Sequence, residues 1–289
     1  MNNIHTAIQK ILGEEPYRVT SLDSGNNEVF RVKTTGASYV LKCYERNRYM
    51  AYEREVGMRE CLRQFSHITY PSILGSTELG ENRYILMEDV PGKSLIEIWN
   101  QDSTRASKEM NVLGRMLGSL HEIPVVDAKL FLEREKVLFA ENYFLWMVDT
   151  ITPYLKAADP TSLLRKCYEV VKSTPVEEVV IHADFGPHQV IVDSLEQWIL
   201  MDFEYAALGA FADDLAGTEV RLEQKDFSNI DGFLIGYDSV RGHLSEYELV
   251  RSAYKAYNLL AMLTYGLSNR REVPSTGECE RLSCLLASL

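Results

Sequence analysis

The hydrophobic pattern of the chain changes period near Pro91-Gly92, and the two parts so defined predict different structure. Before that point, Asn3–Leu12 carries Ile4, Ala7, Ile8 and Ile11 at helical spacing. Tyr17–Leu22, Glu28–Thr34 and Ser38–Tyr44 are β-rich runs separated by Ser24-Gly25-Asn26-Asn27 and Thr35-Gly36-Ala37. Such runs joined by Gly-bearing turns predict an antiparallel sheet. Tyr52–Phe65 places Glu55, Met58, Leu62 and Phe65 on one face of a helix. Ile73–Leu79 and Arg83–Val90, about a Gly80-Glu81-Asn82 turn, predict a further hairpin.

After Pro91-Gly92 the period is mostly helical. Ser103–His121 has Met110, Leu113, Leu117 and Leu120 on one stripe, with Ser103 as its expected cap. Lys136–Leu155 and Thr161–Ser173 follow, and Phe233–Leu289 closes the chain with turns at Gly242 and at Pro274-Ser275-Thr276-Gly277. One β-rich segment interrupts the helices: strand Val179–Ile181, loop Phe185–His188, and a hairpin of Gln189–Val192 and Trp198–Met201. The expected division is residues 1–90 and 91–289.

Composition is ordinary for a globular protein, 46% hydrophobic and 25% charged over 289 residues. A formal charge of −12 argues against nucleic acid as partner, because phosphate neutralisation needs clustered Lys and Arg; it is compatible with a cationic ligand. The five cysteines are scattered without a Cys-x-x-Cys pair, which suggests a reduced compartment. No signal peptide and no membrane-length apolar run is visible, so a cytoplasmic protein without membrane partners is expected.

Charged residues at apolar positions are the candidate chemistry. Asp184 and Asp202 sit where apolar strands stop, held beside open space on rigid elements. An Asp in that place also caps turns through its own backbone. Lys42 lies inside an apolar strand and, by alternation, shares a face with Val40 and Tyr44. It either runs its stem over an edge strand or pairs with Glu55, whose place on the apolar helix face demands a counter-charge. Glu53 aligns with Gly57 and Glu60 and reads as solvated. His182, Asp184 and His188 also admit a metal cluster of hydrolase type.

The segment around Asp184 resembles the catalytic core of the aminoglycoside phosphotransferase family, a branch of the protein-kinase-like fold. That family's pattern is His-x-Asp-x-x-x-x-Asn followed by an Asp on the next hairpin, matched here by His182, Asp184, Gln189 and Asp202. The resemblance implies an α+β, protein-kinase-like two-lobe fold: an N-terminal antiparallel five-stranded sheet with one main helix, and a mostly helical C-terminal lobe. It implies a kinase that moves the γ-phosphate of ATP or GTP to a hydroxyl of a small molecule. An aminoglycoside or other antibiotic is the leading acceptor, ahead of amino sugars and choline-like alcohols. Asp184 is then the base, Asp202 and Gln189 hold Mg²⁺, and Lys42 braced by Glu55 holds the phosphates. Ser24, Gly25 and Asn26 form the loop over the triphosphate, and Met87, Glu88 and Val90 the link that meets the adenine.

By the same resemblance Asp214 caps the helix of the Phe211–Ala216 segment and braces the catalytic loop. Glu204 is either a further metal-side acid or solvated, and Glu219 and Glu223 are available to a cationic acceptor. A monomer or homodimer is expected. Gln189 replaces the usual Asn with a side chain one methylene longer, and Gly25 stands alone where protein kinases have three glycines. A degenerate kinase that binds ligand without turnover is therefore the alternative from another class.

Overall fold

The computed structural model describes residues 2–22, 27–65, 67–132, 141–156, 159–227, 229–270 and 272–289. In chain order the elements are α1 (Asn2–Leu12), β1 (Arg18–Leu22), β2 (Glu28–Lys33), β3 (Ser38–Tyr44), α2 (Tyr49–Phe65), β4 (Ile73–Leu79), β5 (Asn82–Glu88), β6 (Gly92–Ser94), α3 (Leu95–Gln101) and α4 (Ser103–His121). There follow α5 (Val125–Ala128), α6 (Glu141–Ile151), α7 (Pro160–Ser173), β7 (Glu178–Ile181), β8 (Val190–Asp193), β9 (Trp198–Leu200), β10 (Ala207–Ala210), α8 (Phe211–Gln224), α9 (Ile230–Arg241), α10 (Leu244–Tyr265) and α11 (Thr276–Ala287). They form two compact units, Met1–Asn100 with Pro187–Ala206, and Gln101–Gly186 with Ala207–Leu289.

In the first unit a five-stranded antiparallel sheet runs in the order β1-β2-β3-β5-β4. Strand alternation gives it two apolar faces. Leu41, Cys43, Tyr84 and Leu86 pack with Ala7 and Ile8 of α1 on one, and Tyr44, Ile85 and Met87 pack with Ala51 of α2 on the other. Lys42, between Leu41 and Cys43, therefore belongs to the α2 side. The β8–β9 hairpin extends from β6 as a second, three-stranded sheet. In it the Met201 amide donates to the Gln189 carbonyl at 2.8 Å, so Gln189 is fixed beside the turn that carries Asp202.

The second unit is helical apart from the β7–β10 pair, in which Ala207 faces Ile181. Helices α4 and α9 cross with almost nothing between them. A Cβ on Gly114 would collide with the Phe233 carbonyl, and one on Gly236 with the Asn111 carbonyl. Only glycine permits so close a backbone approach.

Several expectations shift. Asp102, not Ser103, caps α4: its carboxylate accepts from the Thr104 and Arg105 amides, and Ser103 is already the first helical residue. The predicted helix over Lys136–Leu155 lies partly outside the described residues, which include α6 and a single turn at Thr152–Tyr154 where Pro153 breaks the pattern. The short elements β6, α3 and β10 were not predicted from the sequence. Among the described residues no helix is long and apolar enough to cross a membrane.

Candidate active site

In the first unit three predicted residues meet. Lys42 Nζ lies 3.3 Å from Glu55 Oε2 and 2.5 Å from Asp202 Oδ1. β3 supplies the lysine, α2 the glutamate, and the turn after β9 the aspartate. Burial alone pulls the Lys42 ammonium down, but Glu55, with Tyr44 and Asp202, lifts it well above the usual lysine range. It is a permanent cation. Burial likewise pushes the Glu55 carboxyl up, and Lys42 and Arg59 overcome that, bringing it to about 2. The Asp202 side chain is 34% exposed, against 11% for Lys42 and none for Glu55, so the aspartate is the accessible member.

The turn carrying Asp202 is gripped at three consecutive residues. Asp202 has φ of 61°, a left-handed conformation that Asp tolerates better than most residues. Its carboxylate is on Lys42, the Phe203 amide donates to Glu55 Oε2 at 3.0 Å, and Glu204 binds Arg48 at 2.8 Å and the amide of Asn27. Glu204 is thus not solvated, as one expectation had it. It is buried, and burial followed by Asp202 raises its pKa against the pull of Lys42 and Arg48. Asp89, just after β5, is tied to Ser38 at 2.6 Å and Arg31 at 2.9 Å. Of the three residues expected to meet the adenine, Met87 is buried, Glu88 is exposed with its amide on the Ser72 carbonyl, and Val90 is half-buried. Ser24, Gly25 and Asn26 lie outside the described residues.

In the second unit β7 delivers His182, Ala183 and Asp184. Asp214 of α8 spans this segment: one carboxylate oxygen accepts from the His182 amide at 2.7 Å, the other from the Ala183 amide at 2.8 Å. That grip holds Ala183 at φ of 62°, a strained conformation for alanine, and re-aims the chain at Asp184. The bracing role expected of Asp214 is present. The capping role is not, because α8 begins at Phe211 and Asp214 sits a turn inside it. Behind Asp214, His121 Nε2 lies at 3.2 Å and His121 Nδ1 lies 2.9 Å from the Tyr237 hydroxyl. Burial raises the Asp214 carboxyl, and the His121 hydrogen bond and the backbone donors bring it below its usual value.

Asp184 is half-buried, and Arg221 donates to its Oδ1 at 2.5 Å. No sequence signal singled out Arg221, since the pairing spans 37 positions. Arg59 did have one, lying four residues after Glu55 on the same helix face. Glu219 and Glu223, expected to be available to a cationic acceptor, are instead neutralised inside the helical packing. Glu219 is fully buried on Arg251 and the Tyr247 hydroxyl, and Glu223 binds Lys255 and Arg281. Among the described residues no group of three or more His, Cys, Asp or Glu side chains is placed to hold a metal, which removes support for a His182–Asp184–His188 centre.

Residues 18–244, more than half of the chain, match the sequence profile of the phosphotransferase enzyme family. The chain belongs to that family: it is a small-molecule phosphotransferase. Its fold is similar to that of a thermostable mutant of the aminoglycoside phosphotransferase APH(4)-Ia solved as a ternary complex with AMP-PNP and hygromycin B. That likeness has a TM-score of 0.69 at 13% identity, and covers 100% of this chain and 99% of the other. It is equally similar to APH(2'')-IIIa in its complex with GDP and kanamycin, with a TM-score of 0.70, 17% identity, and coverage of 100% and 98%. A search of curated proteins gives no match.

Proposed function

We propose that the protein transfers the γ-phosphoryl group of ATP or GTP to a hydroxyl of a small molecule, with an aminoglycoside or other antibiotic as the leading acceptor. The observation that carries this is the buried Lys42 cation set between Glu55 and the accessible Asp202, an arrangement suited to polyanionic phosphates beside a metal-binding carboxylate. Residues 1–90 then act as the nucleotide-binding lobe and 91–289 as the catalytic and acceptor-binding lobe. The two solved relatives hold a nucleotide or its analogue together with an aminoglycoside, which supports both substrate classes.

Asp202 and Gln189 fit Mg²⁺ by their chemistry: a carboxylate and an amide oxygen, both hard donors, carried at adjoining points of one hairpin. Bound there, Mg²⁺ would neutralise charge on the phosphate oxygens. Lys42 holds the phosphates electrostatically. Asp184 takes the proton of the acceptor hydroxyl as that oxygen bonds to the γ-phosphorus and the bond to the nucleoside diphosphate breaks. Arg221, on one Asp184 oxygen, fixes the carboxylate's orientation.

The test is nucleotide consumption with Mg²⁺, using ATP and GTP separately, against a panel of aminoglycosides, other hydroxyl-bearing antibiotics and amino alcohols. Acceptor-dependent diphosphate release is the expected result. Asp184→Asn is expected to abolish it, with a loss of at least about 10³-fold, while nucleotide affinity stays unchanged. An active Asp184→Asn protein would overturn the base assignment. Tight nucleotide binding with no acceptor response would favour the binding-module alternative and direct attention to Gln189.

A further inference from the structure

We propose that Arg59 is a positioning residue for the phosphotransfer site: it neutralises Glu55 from behind, so that Lys42 can turn to a nucleotide phosphate without leaving a buried carboxylate uncompensated. The two oxygens of Glu55 are divided between partners. Oε1 accepts from Arg59 Nη2 at 2.7 Å and from Nε at 3.2 Å, while Oε2 accepts from Lys42 at 3.3 Å and from the Phe203 amide at 3.0 Å. Lys42 is already closer to Asp202, at 2.5 Å, than to Glu55. A fully buried carboxylate stripped of its one cation is strongly destabilising. With Lys42 as sole partner, Glu55 would therefore hold the ammonium back; with Arg59 in place it has a second, permanent cation.

Arg59 is built for that role. Its side chain is only 4% exposed, and its ion-pair partner among the described residues is Glu55. The guanidinium lies 5.7 Å from the Phe203 ring centre and 5.9 Å from that of Tyr70, with Nη2 3.6 Å from Met87 Sδ. Nη1 is buried with no hydrogen-bond partner, so the two rings supply the surroundings that water would otherwise give. A guanidinium cannot deprotonate to escape such a site, and its fork keeps two bonds on one carboxylate.

This inference rests on the nucleotide-dependent function proposed above, and its test separates the two. Dissociation constants for non-hydrolysable ATP and GTP analogues with Mg²⁺, and thermal unfolding midpoints, would be measured for the wild type, Arg59→Met, Lys42→Met and the double variant. Folded Arg59→Met is expected to bind the preferred analogue on the order of tenfold more weakly, because Lys42 is now claimed by Glu55. Arg59→Lys, which keeps one cation without the fork, should hold the wild-type midpoint and recover part of the affinity. In Arg59→Met, affinity within twofold of wild type would overturn the role, as would an Arg59→Lys protein that binds no better than Arg59→Met. Each single variant leaves Glu55 one cation and the double variant none, so the fall in midpoint should exceed the sum of the single falls. Additive falls would also overturn it. A wild type that binds neither analogue would overturn the nucleotide function instead, with the midpoints still reporting on the shared carboxylate.

Discussion

Glu55 and Asp214 are both buried carboxylates kept ionised, and they are kept so by opposite means. Glu55 lies on a helix against a sheet and is neutralised by side-chain cations, Lys42 and Arg59, with one backbone amide added. Asp214 lies on a helix against a strand end and is satisfied by two backbone amides and a buried histidine. Long side chains can exchange partners, whereas backbone amides stay where the chain puts them. The first arrangement suits the rearrangement around phosphates that the proposed function requires. The second suits a loop whose single conformation is the point.

The contrast can be broken from either side. The largest expected effect is that of Asp214→Ala, which strands the buried His182 and Ala183 amides and His121 together. A loss of about 3 to 5 kcal/mol is expected by chemical denaturation, with phosphotransfer falling in any protein that remains folded. Glu55→Gln comes next, at about 2 to 4 kcal/mol, because it leaves Lys42 and Arg59 facing a neutral group. It also has a pH signature. Glu55 is depressed from its usual 4.5 to about 2, so its contribution is fully present above about pH 4.5 and is lost as pH falls toward 2. Stability measured between pH 5 and 3 should fall less steeply in Glu55→Gln than in the wild type.

A smaller effect of the reverse sign is expected at Asp213. Burial, with Asp214 as a neighbouring charge, lifts this carboxyl from its usual 3.8 to about 6 against the Asn258 hydrogen bond. Its protonated form is the one the fold prefers: the associated stability is complete below about pH 3.8 and is lost as pH rises through about 6. Asp213→Asn should therefore be more stable than the wild type at pH 8, by about 2 kcal/mol, with the difference closing at pH 4. The smallest expected effect is a gain of up to about 1 kcal/mol in Ala183→Gly, which relieves the left-handed alanine while Asp214 still holds both amides.

How far the sequence carried these features depended on the range of the interaction behind each. Lys42 and Glu55 were legible because strand alternation and helix spacing each put a charge on an apolar face, and a charge there must find its opposite. The helix and strand bounds were close for the same periodic reason, as Ser38–Tyr44 and Ser103–His121 show. Arg59 was within reach of the same logic, four residues from Glu55, yet it sits among other exposed-looking arginines of a polar helix sequence. Arg48 and Arg221 find their carboxylates across 156 and 37 positions, and no local pattern encodes such a meeting. β6 and β10 are too short to show a period, and exist because β8 and β7 provide an edge for them.

The glycine contact between α4 and α9 also sets an order of events. It seats His121, at the end of α4, against Tyr237 of α9, and these two stand behind the carboxylate that shapes the His182–Asp184 segment. Tyr237 follows His121 by 116 positions, so this contact closes a very long loop. During synthesis the strand that leads to Asp184 emerges well before the helix that completes its support. The segment that Asp214 grips therefore gains its full support only once Tyr237 of α9 has followed.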